Sequence, residues 1–195
     1  MKFLYCILFF FFLQVNFAQE VVNFYFDNNK FELNNVSNNI SLISYDNKAL
    51  KFWTPRILIP FGIDNEYNKY LLKLEINEKN EEQLHFKKIL VHIENLIKKK
   101  LNIEGDHEFK SIIKSRGENN DLIECRIKTI KSNILTSIEF EDKDNNYLKT
   151  IFEIPKQSFI KAQIEINGFW DYRTSLKEKN KCGLIIYITK IIILK

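Results

Sequence analysis

One stretch of this chain reads as a long helix, and most of what surrounds it reads as strand. From about Asn80 to Leu101, the residues Phe86, Ile89, Leu90, Ile93, Leu96, Ile97 and Leu101 recur at three- and four-residue spacing. That spacing gives a broad apolar stripe on one helical face. Glu81 and Glu82 stand in the first turn and Lys98, Lys99 and Lys100 in the last, both favourable to the helix dipole. Either side of the helix the apolar period falls to two. Tyr70–Ile76 alternates, with Leu72, Leu74 and Ile76 on one face. Ile160–Tyr172 does the same, placing Ala162, Ile164, Ile166 and Gly168 opposite Lys161, Gln163, Glu165 and Asn167. Gly183–Leu194 is a long apolar run rich in β-branched residues, which favours a strand.

Shorter segments complete the pattern. Ile40–Tyr45 and Ala49–Trp53 flank the turn Asp46-Asn47-Lys48 as a hairpin. Arg56–Ile59 is a short extended piece bracketed by Pro55 and Pro60. Phe109–Ile113, Leu122–Ile130 and Leu135–Phe140 are further strands, while asparagine-rich Asp27–Asn39 reads as loop or irregular edge. The fold class is therefore α+β and mostly antiparallel: a closed or partly open β-barrel of the oligonucleotide-binding (OB) type with one long inserted helix. At 195 residues the chain has room for one such domain, set at 20–195.

Residues 1–19 read differently. Met1-Lys2 precedes an unbroken apolar run of eleven, Phe3–Leu13, and a small residue follows at Ala18. This is the pattern of a signal peptide or an anchor, too short for a comfortable transmembrane helix. Sequons at Asn35 and Asn39 agree with secretion but come cheaply in an asparagine-rich chain.

Chemistry is sparse. There is no GxGxxG, P-loop, GxSxG or CxxC, and His85, His92 and His107 are confined to the helix and the loop after it. His85 and His92 lie seven apart, too far for a shared metal, so neither a metal nor a cofactor nor enzymatic catalysis is expected. Asp142–Asn146 lacks the glycine and distal glutamate of a calcium loop. A net charge of +4 permits a polyanionic partner without demanding one.

Both tryptophans lie close to arginine, in Phe52-Trp53-Thr54-Pro55-Arg56 and in Gly168-Phe169-Trp170-Asp171-Tyr172-Arg173. Exposed aromatics beside cations suit stacking on unpaired bases and gripping their phosphates. A tryptophan in a strand is more often a core residue.

Three stretches carry a likeness to a known family. They are Phe52-x-Thr54-Pro55-Arg56 leading to Pro60-Phe61-Gly62-Ile63, then Ile112-Ile113-Lys114 to Arg126-Ile127-Lys128, and finally Ile164-x-Ile166-x-Gly168-Phe169-Trp170 followed by Cys182-Gly183-Leu184. In order and spacing, roughly Tyr45–Leu194 resembles a protein family of nucleocytoplasmic large DNA viruses, itself similar to the T7-type phage single-stranded-DNA-binding protein. The resemblance implies a non-enzymatic barrel that coats unpaired DNA in viral replication, through a basic, aromatic-lined groove. Its partners would be single-stranded DNA and replication proteins, with a homodimer left open, in the host nucleus or a viral factory. Carried onto this chain, the contacts are Phe52, Trp53 and Arg56 near one strand end, Lys128 and Lys131 on a central strand, and Trp170, Tyr172 and Arg173 on a late one. The T7-type proteins end in an acidic tail, whereas this chain ends Ile-Ile-Ile-Leu194-Lys195. The alternative is a secreted or membrane-anchored β-rich protein that binds a protein or glycan, with cleavage near Ala18 and a Cys125–Cys182 bridge left open.

Overall fold

The helix and the longest strands fall where the apolar periods put them. The computed structural model describes residues 28–37, 39–66, 69–103, 108–131, 133–141, 150–173 and 181–194. The apolar segment at 1–19, His107, the polar turn at 142–146 and most of the charged loop at 177–181 lie outside the described residues.

The strands are β1 (Phe31–Ser37), β2 (Ile40–Tyr45), β3 (Lys48–Trp53), β4 (Ile57–Ile59), β5 (Asp64–Glu66) and β6 (Lys69–Ile76). After helix α1 (Glu81–Lys100) come β7 (Glu108–Lys110), β8 (Ile113–Arg116), β9 (Asn119–Ile127), β10 (Thr129–Ile130), β11 (Asn133–Ile134), β12 (Ser137–Phe140), β13 (Ser158–Asp171) and β14 (Lys181–Ile193).

Five strands close a ring: β4 pairs β6, β6 pairs β9, β9 pairs β14, β14 pairs β13, and β13 returns to β4. Every pairing in the ring is antiparallel except β9 with β14, which is parallel. Counted in chain order the ring runs 1-2-3-5-4 and back to 1, the connectivity of an OB-type barrel. Closure removes the exposed edges that an open sheet would carry. The free side of β13 is taken in turn by β4 at Ser158–Ile160, β3 at Gln163–Ile166 and β2 at Gly168–Trp170.

The interior is filled by the apolar half of each alternating strand, with Ile57, Leu72, Leu74, Ile123, Ile160 and Ile164 fully buried. Leu90, Ile93 and Ile97 of α1 join the same core. The helix starts where the Asn80 side chain accepts the Gln83 N–H at 3.0 Å. It stops at Asn102, whose φ of 48° lets the Ile103 N–H reach the Lys98 carbonyl. The β2–β3 hairpin turns through Asp46 and Asn47 at φ 52° and 59°, two positions that asparagine and aspartate tolerate well.

Several readings are changed or sharpened. The segment read as loop or irregular edge at Asp27–Asn39 holds the edge strand β1, irregular between Asn35 and Ser37, because Phe31 and Leu33 turn inward and the ladder to β2 supplies what asparagine lacks in propensity. Phe109–Ile113 is split between β7 and β8. Leu122–Ile130 breaks after Ile127, where the Thr136 hydroxyl accepts the Lys128 N–H. Neither lysine placed on a central strand lies on one: Lys128 falls between β9 and β10, and Lys131 sits in the turn of the β10–β11 ribbon, with φ 47°. Cys125 and Cys182 are separate buried thiols.

One buried carboxylate ties α1 to the barrel. Glu94, 4% exposed, accepts the Ile112 N–H at 2.7 Å and the Ser111 hydroxyl at 3.0 Å. Burial pushes its carboxyl above the usual range, and these bonds only partly offset that. Because the folded-state value is raised, ionisation at neutral pH weakens the fold, and the penalty fades as pH falls through that value. Glu94→Gln keeps an acceptor for Ile112 and is expected to match or exceed wild-type stability at pH 7, with any gap closing towards acid. Glu94→Ala orphans a buried N–H and is expected to cost about 1–3 kcal/mol. Urea titrations of both variants across pH check this.

Candidate nucleic-acid interface

On the outward side of β13, Phe159 and Lys161 are exposed while their neighbours Ile160 and Ala162 are fully buried. Gln163 continues the outward row, and Trp53 of β3 lies directly opposite it. Trp53 is 40% exposed, as is Phe159. Arg56, just before β4, places its guanidinium carbon 4.4 Å from the centre of the Phe159 ring.

The backbone that carries Trp53 and Arg56 is fixed at both ends. The Thr54 N–H donates to the Ala162 carbonyl at 2.8 Å, and the buried Thr54 hydroxyl accepts the Ala162 N–H at 2.9 Å. From α1, the Gln83 amide donates to the Arg56 carbonyl at 2.7 Å. A second cation–ring pair, Arg116 over Phe61 at 6.0 Å, adjoins this patch through Glu75, which lies across from Leu58. The result is an outward patch of rigid aromatics and guanidinium groups, the chemistry that holds flat π-systems and phosphates.

Trp170 and Tyr172 form a second group farther along β13, with ring centres 5.7 Å apart. A bulge between Ile166 and Gly168 sets the face of Trp170. Its indole lies over Gly183, where an added Cβ would stand 2.9 Å from the ring and 3.0 Å from the Lys110 carbonyl oxygen. Only glycine fits there. Eleven residues separate Phe159 from Trp170, so at about 3.3 Å per residue the two groups stand up to ~36 Å apart.

The remaining sequence candidates are placed differently. Phe52 points to the other side of β3 and meets Phe86 of α1 edge to face at 6.1 Å, which makes it a packing residue. Arg173 grips Asp171 through two nitrogens, at 2.9 and 2.7 Å, and reaches the Leu101 carbonyl at 3.5 Å. Lys128 lies between the two aromatic groups and holds both oxygens of Glu165 at 3.1 Å. Lys51 approaches the same carboxylate at 3.2 Å, and Asn167 donates to it at 2.6 Å. Burial pushes Glu165 up, but the bonds from Asn167, Lys128 and Lys51 outweigh it and hold the carboxyl below its ordinary value. Lys131 is exposed at its turn.

Phe159, Lys161 and Lys51 join the candidate surface only in the folded chain. The signal for Phe159 was present: alternation through Ser158–Ile166 puts it on the polar side of β13 beside Lys161. Among the described residues no group of three His, Cys, Asp or Glu side chains is arranged to hold a metal. No described helix is long and apolar enough to cross a membrane.

No family model matches this chain, and no curated protein matches it. Among solved structures, it is similar to gp2.5, a single-stranded DNA binding protein encoded by bacteriophage T7, with a TM-score of 0.48 and 8% identity over 75% of this chain and 87% of that one.

Proposed function

We propose that this protein binds single-stranded nucleic acid, DNA in the first instance, on the outward face of β13 and its neighbours. The observation that carries the reading is the patch at Trp53, Arg56 and Phe159. Two rings, each 40% exposed, stand on a rigid barrel with a guanidinium stacked against one of them. Exposed rings beside a cation suit unpaired bases, because every base offers a π-face to them. Trp170 and Tyr172 extend the surface towards the other end of the strand. Arg56 and Lys161 supply phosphate contacts, so binding weakens as salt rises. The setting we infer is the coating of unpaired DNA during replication of a large DNA virus. It is supported by the order and spacing of the three stretches within residues 45–194.

The test is fluorescence anisotropy of a labelled oligo-dT with the full-length protein across a salt series, with duplex DNA as competitor. Binding with a steep negative salt slope and preference over duplex is expected. A folded protein that fails to bind at low salt would overturn the reading.

A further inference from the structure

The registers of β3, β13, β14 and β9 bring one outward side chain from each strand into a single row across the barrel. Lys51 lies opposite Glu165, Glu165 opposite Tyr187, and Tyr187 opposite Arg126. Lys128 follows Arg126 by two residues, and its ammonium reaches back to Glu165. We propose that Lys51, Tyr187, Arg126 and Lys128 form a binding site for the sugar-phosphate backbone of the same single strand, with Glu165 as the positioning residue for the two lysines. This rests on the single-strand-binding reading and adds where the phosphates sit.

Three features support the site. The first is charge: three cations face one carboxylate. Glu124, two residues before Arg126, is taken up by Lys114 at 2.6 Å. The second is an unmet need. Arg126 is half-buried and has no acidic partner among the described residues, and the Tyr187 hydroxyl has no hydrogen-bond partner among them. A part-buried guanidinium is suited to a bidentate phosphate contact, and a neighbouring phenol can donate to the same anion. The third is placement. Lys51 stands two residues before Trp53, on the same face of β3, so the row begins beside the aromatic patch. From Lys51 to Arg126 it covers three strand spacings, about 14 Å.

Glu165 explains why the lysines are ready. It is 2% exposed although it sits on the outward row, because Lys51, Lys128 and Asn167 cover it. Holding both ammoniums on one buried carboxylate removes much of the freedom that two long side chains would otherwise lose on binding. The pair stays in excess of the single negative charge, so a phosphate above it still gains.

The experiment uses the full-length protein and oligo-dT, reading the slope of log affinity against log salt. For single strands each lost phosphate contact lowers the magnitude of that slope by about 0.7. Lys51→Gln and Arg126→Gln are each expected to lower it by about that amount and to weaken binding several-fold at low salt. Lys88→Gln, on the exposed side of α1, is expected to change neither. Thermal melts establish that each variant is folded, and Lys51 is the most exposed of the row, its loss leaving Glu165 still held by Lys128 and Asn167. If Trp53→Ala weakens binding while Lys51→Gln and Arg126→Gln keep the wild-type slope, the row is overturned and the single-strand reading stands. An equal loss from Lys88→Gln overturns the row in favour of diffuse attraction. A wild-type protein that does not bind removes both.

Discussion

Replacing Trp53 and Phe159 together by alanine is expected to weaken oligo-dT binding by about 2–6 kcal/mol, since one stacked base is worth about 1–3 kcal/mol. Both rings sit outside the barrel, so the melting temperature should move far less than the affinity does. The two differ in what else they do. Trp53 is fixed by its strand opposite Gln163, and its loss removes one platform. Phe159 also supports the Arg56 guanidinium at 4.4 Å, so its loss frees a cation as well. A double-mutant cycle between Arg56→Ala and Phe159→Ala should therefore be non-additive, whereas Trp53→Ala combined with Arg173→Ala should be additive. Arg173 is occupied with Asp171 and its removal should leave affinity nearly unchanged. Affinity that survives the loss of both rings would remove this patch from the site.

The largest loss of stability is expected from Phe169→Ala, about 3–5 kcal/mol. Phe169 is 1% exposed and lies between Ser41 of β2 and Leu184 of β14. It is the inward residue at the point where β13 passes from the barrel to the β1–β2 hairpin, so the void it leaves adjoins three strands. Total stability for a domain is about 5–15 kcal/mol, and in this size range each kcal/mol shifts the melting temperature by about 2–4 °C. A drop of roughly 6–20 °C in a thermal melt is the expected reading. A smaller drop would mean that β2 collapses onto β14 and fills the void.

Much of this fold can be read in the chain because its elements satisfy their own local rules. Helix α1 combines an apolar stripe with Asn80 at its start, and the β2–β3 turn has aspartate and asparagine where φ is positive. Strand β1 was legible only as loop or irregular edge: its asparagines argue against a strand, and the register with β2 decides for one. Glu165 shows the same limit at the site. Alternation assigns it to the polar face correctly but cannot say that two lysines from elsewhere in the chain will bury it there. Arg173 and Asp171 are two residues apart, so their pairing was visible, and it competes with the phosphate role that the nearby tryptophan suggested. Phe52 and Trp53 are neighbours on opposite faces of one strand, and the choice of which faces the helix depends on where β13 docks.

The use of β13 as a shared seam has a consequence for how the chain acquires its structure. Strands β2, β3 and β4 all wait for a partner whose first residue is Ser158, about a hundred positions or more downstream. The ring then needs β14 as well before it is complete. Closing loops of that length delays the reward for ordering them, so folding is expected to be slow relative to helical domains of this size. During synthesis, at about 5–20 residues per second, the hairpin bearing Trp53 emerges several seconds before the strand that will hold it. In that interval its apolar side is exposed, and the interval, more than the finished barrel, is when this protein is most prone to aggregate.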